Sequence, residues 1–117
     1  MARWYTRPVV FTDDVKRSLG FYVDVVGFTK DWHEGDGTGG VCQVSRDGCE
    51  IILCEDKSRR DRGRLFVSLD DDGIAMLRAA IAAKSIAHKQ SWWGMDVIEI
   101  DDPDGNQLMF SYPVVTA

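Results

Sequence analysis

Laid on itself with a shift of 57 residues, this sequence matches at several places in chain order. Arg7 falls on Arg64, Asp13-Asp14 on Asp70-Asp71, and Asp47-Gly48 on Asp104-Gly105. "CEIIL" (49–53) falls on "NQLMF" (106–110), and twice 57 nearly fills the 117 residues. A fixed offset of this length marks a duplicated supersecondary unit. We read one domain, 1–117, made of two pseudo-repeats, 1–56 and 57–117, with the seam in the solvated basic connector "KSRRDRGR" (57–64). A unit this small buries too little alone, so the copies must pack together or across a homodimer.

Hydrophobic period assigns the elements of the unit. "YTRPVVF" (5–11) is an extended, β-branched run. Asp13 or Thr12 caps a helix whose apolar stripe is Val15, Leu19, Tyr22, Val23 and Val26, and Gly27 ends it. Strand-like segments follow at 28–34, 40–46 and 49–55. The second half repeats the order. "RLFVSL" (64–69) is a strand, and Asp70 to Asp72 start a helix carrying Ile74, Leu77 and Ile81. A short strand is expected near 86–89, then "DVIEI" (96–100) and "NQLMFSY" (106–112) around the turn Asp102-Pro103-Asp104-Gly105. Pro103 fixes φ at the second turn position, and Gly105 supplies positive φ at the fourth. Each unit is β-α-β-β-β, an α+β class.

Charge and composition narrow the function. A net charge of −5 disfavours nucleic acid and mildly favours a cationic small molecule. No apolar run approaches the roughly 20 residues of a membrane span. The N-terminus lacks the pattern of a signal peptide, which points to the cytoplasm. Cys42, Cys49 and Cys54 are odd in number and contain no C-x-x-C pair, so reduced thiols are expected, with Cys42 and Cys54 as small buried hydrophobes.

The two βαβββ units, the S-x-x-F-Y-x-x-x-x-G-F pattern of Ser18 to Phe28 and the D-P-D-G-N of Asp102 to Asn106 together resemble the vicinal oxygen chelate superfamily. That superfamily holds glyoxalases, extradiol dioxygenases, fosfomycin-resistance enzymes and bleomycin-resistance proteins. The resemblance implies a curved mixed sheet forming a cup, with up to four metal-ligand positions inside. Those positions are usually His, sometimes Gln, in the first strand of a unit, and usually Glu in the last. Here they hold Arg7, Ile52, Arg64 and Met109. Arg stays protonated, Ile has no donor atom, and a lone thioether suits hard divalent ions poorly. The only histidines, His33 and His88, fall on none of these positions. No metal and no cofactor is expected. Pro8, "GFTKDW" (27–32), "SRDGCEIILCE" (45–55) and "WWGMDVIEIDDPDGN" (92–106) look most like the bleomycin-resistance branch. That branch is metal-free and sequesters a cationic glycopeptide in a dimer cleft. Arg7, Arg64 and the loop "EGDGTGG" (34–40) depart from it.

Strand alternation places Arg7, Val9, Glu50, Ile52 and Cys54 inside the cup with Arg64, Phe66, Ser68, Gln107, Met109 and Ser111. Two arginines there need partners. Either Glu50 and Glu99 pair with them internally, or an arginine clamps a ligand carboxylate. Trp92 and Trp93 should point to opposite faces, one into the core and one free to stack on a ligand beside Gly94. Trp32 shares a strand face with Phe28 and Lys30, which suggests partial exposure or packing at a dimer interface.

The leading reading is a metal-free, homodimeric small-molecule binding protein. It would sequester an aromatic or cationic ligand, an antibiotic included, with Arg7, Trp32, Ile52, Arg64, Phe66, Trp92, Trp93 and Met109. The second is a glyoxalase-like lyase or other enzyme of the superfamily using Glu50, Glu99 or His33 for acid/base chemistry. The third is a non-catalytic structural or regulatory module.

Overall fold

A computed structural model describes residues 2, 4–59 and 61–113. The first half contributes β1 (Val9–Thr12), α1 (Val15–Gly20), β2 (Thr29–His33), a single distorted turn α2 (Glu34–Gly37), β3 (Val41–Arg46) and β4 (Cys49–Glu55). The second contributes β5 (Arg64–Ser68), α3 (Asp71–Lys84), β6 (Lys89–Trp92), β7 (Asp96–Asp101) and β8 (Gln107–Ser111). The strands form two four-stranded mixed sheets with the same topology, β1-β4-β3-β2 and β5-β8-β7-β6. In each, the first strand runs parallel to the last and the remaining pairs are antiparallel. This is the expected α+β βαβββ order, twice.

Local chemistry explains where elements start and stop. The cap of α1 is Asp14, whose carboxylate accepts from the Lys16 and Arg17 amides. That is later than the expected Thr12 or Asp13, because Thr12 still pairs in β1 opposite Glu55. The helix runs on as a π-helical turn, Phe21–Val25, and Gly27 then turns the chain with φ +91°. In α3, Asp70 caps the Gly73 amide, and Ser85 closes the helix in the left-handed region. Ile86 is spent on core packing, so the next strand starts at Lys89, beyond the expected 86–89. Likewise β1 begins at Val9 and not at Tyr5.

One apolar core serves both halves. Val10, Tyr22, Val44 and Leu53 from the first pack in the same cluster as Leu77, Ile98, Leu108 and Phe110 from the second. These residues occupy the helix-covered faces of the two sheets. The opposite faces are open, and Val9 and Phe66 there are each 47% exposed.

Among the described residues no ladder joins the two sheets, whose β1 and β5 are edge strands. A side chain bridges the gap. Carbonyls of Pro8 and Thr12 accept from Ile52 and Asp56 on the β4 side. The Phe11 carbonyl points the other way and accepts from Asn106 Nδ2 at 3.1 Å. Asn106 Oδ1 accepts from the Gly63 amide at 2.8 Å, just before β5. Gly63 lies so close to Val10 that a Cβ would sit 3.3 Å from Val10 Cγ1. Among the described residues no helix is long and apolar enough to cross a membrane.

Candidate functional site

On the open face of the first sheet, the polar residues converge on Gln43. Its side chain is buried at 4% exposure and sits in the middle of β3, opposite Ile52. Gln43 Oε1 accepts from Arg7 Nη1 at 2.7 Å. Its Nε2 donates to both Asp31 and Glu50 at 2.9 Å, and Asp31 also accepts from Ser45 Oγ at 2.7 Å. One amide thus satisfies two carboxylates and a guanidinium. A β-bulge at Asp31 builds the arrangement: Lys30 pairs with Val44, yet Trp32 pairs with Gln43. The bulge puts Trp32, 40% exposed, on the opposite face from Lys30 and corrects the expected shared face.

The open face of the second sheet is aromatic and cationic. Arg64 Nε donates to Gln107 Oε1 at 2.8 Å, and its guanidinium lies 5.7 Å from the centre of the Trp93 ring. Phe66 meets the same ring at 6.3 Å in a tilted contact. Met109, between Phe66 and Glu99 in register, is only 2% exposed and forms a floor. Lys89 approaches Glu99 at 4.0 Å. At the seam, a recess of about 270 Å³ is lined by Thr6, Pro8, Glu50, Arg64 and Phe66 among others.

The structure therefore draws Glu50, Arg64, Phe66 and Trp93 to one region, with Met109 beneath. Other expected residues lie elsewhere. Arg7, Ile52 and Trp32 belong to the Gln43 side of the face. His33 is tied to the Gly39 carbonyl at 2.7 Å. Of the two alternatives for Arg7 and Arg64, internal pairing with Glu50 and Glu99 is corrected: both arginines donate to glutamine side-chain oxygens instead. For Arg64 register is the reason. Glu99 stands opposite Met109 and Lys89, while Gln107 stands opposite Arg64. The tryptophan pair is corrected too, since Trp92 is 67% and Trp93 48% exposed and neither enters the core. Trp92 sits on the edge strand β6, and Trp93 leaves it for the turn at Gly94. Gln43 and Asp31 were not anticipated.

Burial raises the thiols of Cys42, Cys49 and Cys54 above the ordinary cysteine range, so none is primed as a nucleophile. All three are free. The residues at the four implied ligand positions do not fit a divalent ion: two guanidiniums, an alkyl chain and a buried thioether offer no hard donor set. Among the described residues, no three His, Cys, Asp or Glu side chains gather to hold a metal.

A family model described as glyoxalase superfamily protein matches residues 4–115. The chain belongs to the glyoxalase superfamily. Bleomycin resistance proteins from Geobacillus stearothermophilus and Staphylococcus aureus are 26% identical to it over 133 aligned positions, covering 88% of this chain and 92% of theirs. Among solved structures, TnmS3, an antibiotic binding protein from Streptomyces sp. CB03234, superposes with a TM-score of 0.72 at 24% identity, covering 97% of this chain and 99% of that one. Lactoylglutathione lyase from Agrobacterium tumefaciens gives a TM-score of 0.72 at 17% identity, covering 96% of each chain. The fosfomycin resistance protein FosX from Listeria monocytogenes gives 0.75 at 14%, covering 98% of this chain and 95% of that one. At these identities the structural likenesses establish the fold that this glyoxalase superfamily member shares.

Proposed function

We propose that this protein is a metal-free binding protein that sequesters a flat, aromatic or cationic small molecule, an antibiotic among the candidates. The observation that carries this is the Trp93 ring, half exposed and already flanked by Phe66 and Arg64 beside a polar recess. A π-face that is pre-positioned and wet on one side binds planar or cationic ligands at little ordering cost. Glu50 and Asp31 add negative charge on the same open face. The bleomycin resistance relatives and the antibiotic binding TnmS3 support the ligand class.

In this reading the chain is one domain of two modules, 1–56 and 57–117. Its open sheet face is covered by a second copy in a cytoplasmic homodimer. Apolar side chains exposed on that face, Val9 and Phe66 among them, are what such an interface would bury.

The test is a tryptophan fluorescence titration with bleomycin and with planar aromatic cations. Saturable quenching at micromolar ligand is expected. Absence of any change across that range would remove the sequestration reading.

A further inference from the structure

The offset that relates the two halves also shows where they differ. At one end of the seam, the β7–β8 turn is bolted down. Asp104 accepts from the Asp13 amide at 3.0 Å and from Arg17 at 2.8 Å. Asn106 ties Gly63 to Phe11, and Asp102 accepts from Tyr22. The equivalent turn of the first half, Asp47-Gly48, faces β5 and the start of α3. There the bolts are missing: Cys49 stands in for Asn106 and Ala79 for Tyr22. A thiol cannot bridge two strands as a carboxamide does, and a methyl group cannot reach a carboxylate. The turn stands off, and a cleft of about 770 Å³ opens between it and α3.

The volume lies in the small-molecule range. The inner wall is apolar, built from Phe28, Leu77 and Phe110, with Met76 half exposed at the mouth. Met is the side chain best suited to adapt to a guest. The rim carries Asp47, Asp70 and Asp72. Its cation, Arg46, is already engaged: it donates to the Val26 carbonyl at 2.6 Å and lies 3.5 Å from Asp47. We propose that this cleft is a second binding site, for a small amphiphile with an apolar body and a cationic head. The body fills the space that Tyr22 and its partners close at the other end, and the head meets the rim carboxylates. Arg64, Trp93 and Met109 take no part in it. Gly48, Cys49, Phe66 and Val67 border both the cleft and the open-face recess.

Cys49 borders both cavities and serves as the reporter, with the rim substitutions and Trp93→Ala telling the two apart, while Cys54 belongs to the open face and serves as the control. The rates of alkylation by N-ethylmaleimide would be followed at each cysteine by peptide mass spectrometry, with octyltrimethylammonium or octanoate present. The ammonium should slow Cys49 about threefold once it reaches twice its Kd, by the factor 1 + [L]/Kd. Cys54 should be unaffected, and octanoate should protect neither. A bound cation by itself would favour thiolate and speed alkylation, so slowing reports occupancy. In the doubly substituted Asp47→Lys/Asp72→Lys protein, both changes are at exposed positions and the protection should vanish while the circular dichroism stays the same. Trp93→Ala should leave the protection intact. The idea is overturned by no protection in the unmodified protein, by equal protection from octanoate, or by protection that survives the charge reversal.

Discussion

The Tyr22 hydroxyl donates a 2.9 Å hydrogen bond to Asp102, 80 residues away, and both groups are buried. The same carboxylate accepts from the Asp104 and Asn106 amides and from Asn106 Nδ2, so it organises its own turn and anchors the π-helical end of α1. Tyr22→Phe should cost about 1–2 kcal/mol in urea unfolding, since one buried acceptor site loses its donor.

The pH dependence of the same bond has a definite sign. Burial, with Asp102 beside it, raises the Tyr22 hydroxyl far above its ordinary pKa of 10.0. The folded state therefore holds this proton after the unfolded state has lost it. The contribution is full below pH 10 and declines as pH rises beyond it. Alkaline titration followed by circular dichroism and by absorbance at the tyrosinate band should show the Tyr22 share of ionisation rising only with unfolding. Ionisation of Tyr22 in a protein that keeps its fold would contradict this.

Gln43 should be intolerant of change in a chemically specific way. Gln43→Leu removes the donor shared by Asp31 and Glu50 and should cost about 1–3 kcal/mol. Gln43→Glu keeps the shape but adds a third carboxylate, so it should be worse than leucine. Equal stability of the two variants would show that the hub is not electrostatic in origin.

Ligand binding should depend on Trp93 and not on Trp4, which is 93% exposed at the other end of the chain. Trp93→Ala should weaken a planar cation by about tenfold, the worth of one good aromatic contact. Trp4→Ala should leave the affinity as it is. Isothermal titration of the two variants separates these outcomes without relying on fluorescence.

Gly27 is held by backbone and by space. Its φ is +91°, and a Cβ there would lie 3.0 Å from Arg46 Nη1, which bonds the neighbouring Val26 carbonyl. Gly27→Ala should cost about 1–2 kcal/mol and lower Tm by about 5–10 °C in calorimetry.

What the sequence announced and what it withheld have physical reasons. Strand order, the Gly27 turn and the Asp-Gly corners were readable because period and turn chemistry act over a few residues. Tyr22 read as one member of an apolar stripe, because its partner lies in the other half. Gln43 had a local signal that went unused: in "VCQVSR", Gln43 alternates with buried Cys42 and Val44, which marks a polar residue on the open face. Internal pairing of the arginines with Glu50 and Glu99, one of two alternatives, matches charge to charge, whereas each guanidinium bonds a glutamine, set opposite Arg64 by register. Trp32 was misplaced because a bulge adds one residue to the count and leaves no mark in composition.

The join between the two halves has a consequence for how the chain is held together. Among the described residues every ladder closes within one half, and across the seam the Asn106 carboxamide links strand edges with side-chain bonds. Separating the two halves at this seam would leave every described inter-strand backbone bond in place. The seam works as a coupling made of side chains, separate from the ladders that hold each half together.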